Sequence, residues 1–194
     1  MIRLLLLLLC VPSILAAQDP RLARLDPETR HIVAGIVDSA QRAGLPVEPL
    51  VQRALEGVAK GAPGTRVAAA VRRLAQDLGS ARMALGESAS APELEAGAAA
   101  LRAGATTDVL RHLHGVRRPP LTMALAVMAD LITGGVPADS AATAVLALAP
   151  TARDADLIEF RRAVERDIAL GASPATAATV RVNAGARTAS PGRP

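Results

Sequence analysis

Gly44-Leu45-Pro46-Val47-Glu48, Gly104-Ala105-Thr106-Thr107-Asp108 and Gly135-Val136-Pro137-Ala138-Asp139 are versions of one five-residue phrase. A glycine is followed by a small or apolar residue, then Pro or Thr, then any residue, then an acid. A further copy, Gly171-Ala172-Ser173-Pro174, lacks the acid. Each part has a physical role at a break between helices. Glycine takes the left-handed backbone conformation that closes a helix, and the apolar residue after it folds back on the last turn. Proline cannot continue the old helix but suits the start of a new one, whose dipole the acid complements.

Outward from these breaks, a second turn follows each of the first three, marked by Pro63, Pro119-Pro120 and Pro150. The spacing predicts units of a shorter helix, a Pro-bearing turn and a longer helix over 44–86, 104–134 and 135–170, with a partial unit from 171. A period of this size signals a repeat architecture, in which each unit buries its apolar face on its neighbours. The expected fold is therefore all-α: tandem α-hairpin repeats forming an irregular helical array or bundle over residues 26–182, after a short N-terminal segment 18–25. Asp26-Pro27-Glu28 opens a first helix with an N-cap, a proline at N1 and an acid in the first turn. Residues 86–92 read as a loop before an inserted Ala-rich helix at 93–103.

Helical spacing picks out the buried stripes. Ile32, Val33, Ile36, Val37 and Ala40 form one; Val67, Val71, Leu74 and Leu78 form a second, with Arg66, Arg72, Arg73 and Asp77 facing away. Leu157, Phe160, Val164 and Ile168 form a third, opposite Arg161, Arg162, Glu165 and Arg166. Residues 121–149 differ, being apolar nearly all round with Asp130 and Asp139 as their charges. Each half is shorter than the ~20 residues a bilayer span needs, so a buried central hairpin is expected rather than membrane contact.

Composition agrees with helices. The 194 residues include 43 alanines, one Phe and neither Tyr nor Trp; alanine is the strongest helix former, and strands favour aromatic and β-branched residues. Net charge is only +4, and all 22 basic residues except Lys60 are arginine. Arginine stays charged at every accessible pH, so the pI of 10.8 reflects composition before it reflects a strong field.

Residues 1–17 have the form of a secretory signal peptide: Arg3, an apolar run, and Ser13-Ile14-Leu15-Ala16-Ala17 at the exit. The expected cleavage after Ala17 leaves a chain beginning Gln18-Asp19-Pro20. Pro12 and the short apolar run argue against a retained anchor. Lipidation at Cys10 is the other alternative, and Leu9 is a poor residue to precede it. Removal of Cys10 with the leader leaves no cysteine for disulfide, thiol or thiolate-metal chemistry. The expected address is thus exported, periplasmic or secreted. The polar, Gly/Pro-bearing stretch 183–194 reads as a disordered tail.

Arg24-Leu25-Asp26-Pro27-Glu28-Thr29-Arg30, and Gly44 to Val51 running on through Glu56-Gly57-Val58-Ala59-Lys60-Gly61, resemble segments of uncharacterised exported bacterial helical proteins. The resemblance covers about residues 24–78, and its motifs are structural. It implies helices and export, and carries no activity.

The chemistry-bearing groups are few. Asp108 and His112 sit one helical turn apart, a carboxylate–imidazole pair that His31 would have to join to make a metal site; His114 falls on another face. Asp108 is already explained as the acid of its break. There is no Gly-x-Ser-x-Gly, no His-Glu-x-x-His and no phosphate-cradling glycine loop. Glu93/Glu95 and Asp154/Asp156 fall in first turns of helices, where complementing the dipole suffices. Arg72-Arg73, Arg117-Arg118 and Arg161-Arg162, if stacked, would form a basic ridge for an anionic surface, although acids neighbour each pair and no aromatic is placed to stack on bases. The residues thus point to a non-enzymatic protein-interaction or envelope-structural module with no catalytic residue, cofactor or metal. Its expected partner is another envelope or secreted protein, not nucleic acid, and no membrane span is expected after processing. The alternatives are an anionic-surface binder using the Arg pairs and a small metal-dependent hydrolase centred on His31, Asp108 and His112.

Overall fold

A computed structural model describes residues 19–188; the expected signal segment with Cys10 and Ala17, and residues 189–194, lie outside the described residues. A 3₁₀ turn, Pro20–Arg24, leads into α1 (Pro27–Arg42), α2 (Glu48–Ala59), α3 (Gly64–Leu85), α4 (Ala91–Ala103), α5 (Thr107–Val116), α6 (Thr122–Thr133), α7 (Ala138–Leu148), α8 (Asp154–Ala169) and α9 (Pro174–Thr188). The described chain is all-α, with no strand. The inserted helix begins at Ala91, because Ser90 takes the N-cap and Pro92 falls inside the first turn. Helix α9 runs on through residues 183–188, so that part of the polar C-terminal stretch is helical and not a disordered tail.

The breaks have the predicted chemistry at atomic level. Gly44, Gly104, Gly135 and Gly171 all have positive φ, between 67° and 124°. At each, the amide of the residue after the glycine bonds back five residues: Leu45 N–H to Ala40 O, Ala105 to Ala100, Val136 to Leu131 and Ala172 to Asp167, each at 2.9 Å. The glycine N–H closes the inner ring, as Gly135 does to Ile132 O at 3.0 Å. This is the Schellman motif, and its apolar clasp is present because Leu45, Ala105, Val136 and Ala172 all pack on the core. Gly61, a break that the five-residue phrase does not cover, does the same, with Ala62 N–H donating to Gly57 O. Asp26 caps α1 as expected, its Oδ1 accepting from Thr29 N–H, and Thr106 Oγ1 caps α5 by accepting from Val109 N–H.

Packing makes an array of two rows. Helix α3 is the N-terminal hub, against α1, α2, α4 and α5; from there one row runs α4, α6, α8 and the other α5, α7, α9. Along each row a helix stacks on the next but one in the chain, and α5 leans on α3 and α7. Contacts between ends fix the directions. Glu93 at the start of α4 bonds Leu121 at the start of α6, so these helices run parallel. Gly64 abuts Thr29 and Asp26 while Arg82 reaches Gly44 O, so α1 and α3 are also parallel.

One apolar cluster runs the length of the array. Its centre is α6, whose Ala124, Leu125, Val127, Met128, Ala129 and Leu131 are all buried beneath α4, α7 and α8. A helix apolar on most sides needs neighbours on most sides; within 121–149 the buried positions are core, with Ala141, Ala142, Ala144 and Val145 of α7 joining those of α6, while Asp130, Asp139, Thr143 and Ala147 stay exposed. Among the described residues no helix is long and apolar enough to cross a membrane.

Two expectations about faces need correction. Asp77, placed on the outward face of α3, is only 8% exposed, because α4 crosses α3 there and brings Arg102 over it. On α1 the buried stripe is Val33, Ala34, Val37 and Ala40, while Ile32 and Ile36 are half-exposed. The helix is rotated by about one position because α2 and the 3₁₀ turn cover the Ala34 side.

Candidate functional site

The six arginines of the three pairs are not brought together. Arg72 and Arg73 lie on α3, Arg161 and Arg162 on α8, and α4 and α6 stand between those helices in the packing order. Most are occupied within the protein. Arg117, with its side chain only 11% exposed, donates from Nη1 to Ala149 O at 3.0 Å and Ala152 O at 2.6 Å, and from Nη2 to Asp154 Oδ1 at 2.6 Å. It therefore caps the C-terminal end of α7 and holds the start of α8, a planar fork filling three acceptors that a lysine could not reach together. Arg161 pairs with Asp130 on α6 and with Glu165; Arg162 pairs with Glu159, and Arg73 with Asp77. Arg72 and Arg118 make no hydrogen bond or ion pair among the described residues.

The same use of arginine recurs along the array. Arg30 donates to the carbonyls of Leu22, Ala23 and Leu25. Arg82 reaches Gly44 O at 2.7 Å. Arg21 forks onto Glu48, and Arg181 onto Asp167. Each ties together two different elements, and the fields are strong locally. Hydrogen bonds from Arg21, then Gln52, draw the Glu48 carboxyl down to about 2, and Arg181 holds Asp167 below the usual carboxylate range.

Glu93 is the buried carboxylate that sequence reading undervalued. It is 5% exposed. Oε2 accepts from Ser90 N–H and Ser90 Oγ–H at 2.9 and 2.7 Å, and Oε1 accepts from the buried Leu121 N–H at 2.8 Å. Burial pushes its carboxyl up, but the bonds from Leu121 and Ser90, with His114 nearby, outweigh that and leave it below its ordinary range. The Ser90-x-x-Glu93 capping box was legible in the sequence. The bond to Leu121, 28 residues on, was not.

The His31, Asp108 and His112 cluster is not assembled. All three side chains are exposed; Asp108 pairs with Arg111; α1 packs on α2 and α3, whereas α5 packs on α3 and α7. Among the described residues no group of three His, Cys, Asp or Glu is placed to hold a metal ion.

The concave feature of most interest lies where α1 and α3 run side by side. Ile32, Gly35, Ile36, Ser39, Ala43 and Leu45 from the α1 side, with Arg72, Ala75 and Gln76 from α3, line an open groove of about 440 Å³. Its floor is apolar and shallow-sided, and its one charged lining group is the unpaired Arg72. A second recess of about 290 Å³ between α7 and α9 is lined by Asp139, Ser140, Thr143, Ala144, Thr179, Val182 and Asn183. Neither brings together a nucleophile, a base and an oxyanion donor.

The fold and groove define an all-α array with an open helical groove at its N-terminal end. No protein-family model matches the sequence, and neither curated proteins nor solved structures give a match.

Proposed function

We propose that this is a non-enzymatic exported protein-interaction module of the cell envelope, with the α1–α3 groove as its docking surface. The observation that carries the reading is the partial exposure of the half-buried Ile32 and Ile36 beside Leu45 in that groove. Val33, Ala34, Val37 and Ala40 of the same helix are sealed, and the two isoleucines give the groove an apolar floor with no helix over it. An open, elongated apolar groove suits another protein's helix better than a small molecule, which calls for deep enclosure.

The test is affinity capture from envelope extract using the processed chain, with Ile36→Asp and Arg72→Glu as groove variants and Arg118→Ala as a control. The expected result is a defined set of partners that both groove variants lose while Arg118→Ala keeps it, all with unchanged circular dichroism and melting temperature. Retention of the same partners by both folded groove variants overturns the reading. The basic-ridge alternative has less support, since Arg117 and Arg161 are committed to α7, α8 and α6 and, of the six arginines, only Arg72 and Arg118 are unpaired among the described residues. The hydrolase alternative has no assembled group behind it.

A further inference from the structure

We draw no further inference here: the strongest candidate, the identity of what seats in the α1–α3 groove beside the unpaired Arg72, belongs to the site already described, and nothing in the structure shows what covers it.

Discussion

Glycines inside helices have opposite roles here depending on what faces them. A β-carbon on Gly64 would collide with Thr29 Oγ1 and lie 2.9 Å from Asp26 Oδ2, the group that caps α1. A β-carbon on Gly79 would meet nothing within 4 Å. Gly64→Ala is therefore expected to destabilise by about 1–3 kcal/mol through overpacking and loss of the cap. Gly79→Ala is expected to stabilise by up to about 1 kcal/mol through helix propensity; urea denaturation of the two variants checks both signs. Glu93 makes a second prediction at this scale. Its folded-state carboxyl titrates below the unfolded value, so its contribution is fully present above the ordinary carboxylate range near pH 4.5 and is lost as pH falls through the depressed value. Glu93→Gln should lower stability at pH 7 by roughly 1–3 kcal/mol, the range for weakening buried charge-assisted bonds. It should also flatten the acid limb of the stability–pH curve; an unchanged acid limb would mean that other carboxylates set it.

At the scale of elements, helix ends are joined across units mainly by arginine. Arg117 and Arg118 are neighbours in sequence with opposite assignments: one is sunk between α7 and α8, the other makes no bond. Arg117→Ala strips the partners from two turn carbonyls and from Asp154. We expect a loss of about 2–4 kcal/mol, with faster hydrogen exchange concentrated at residues 145–157. Arg117→Lys should recover less than half of it, because an ammonium cannot span the three acceptors. Arg118→Ala should stay within about 0.5 kcal/mol of the parent, as surface changes do. Equal effects at the two positions would contradict the capping role.

For the whole molecule, the two rows share one apolar cluster with α6 at its centre, touching α4, α7 and α8. Met128 is completely buried there. Met128→Ala should cost about 2–5 kcal/mol, and the cost should appear as a single shifted transition rather than as local fraying, because α6 packs on α4, α7 and α8 within one continuous apolar cluster. A biphasic melt, with one half of the array unmoved, would show that the rows fold as separate blocks.

The sequence by itself determined where helices stop and start. Gly44, Gly104, Gly135 and Gly171 turn the chain left-handed, and Asp26, Thr106 and the neighbouring prolines begin the next helix; these preferences belong to single residues and need no distant partner. It also marked α6 as mostly core, since a helix apolar nearly all round has little side to give to water. Only the tertiary structure decided which arginines are free and which faces are covered. Asp77 was drawn inward by α4 crossing above it, Arg117 by the ends of α7 and α8, and Glu93 by an amide 28 residues away. Ile32 and Ile36 were left half-open because α1 turned its alanine side to α2. Helical periodicity tells which residues share a face, but the neighbour that fills that face is set by packing between distant segments, and so is the groove.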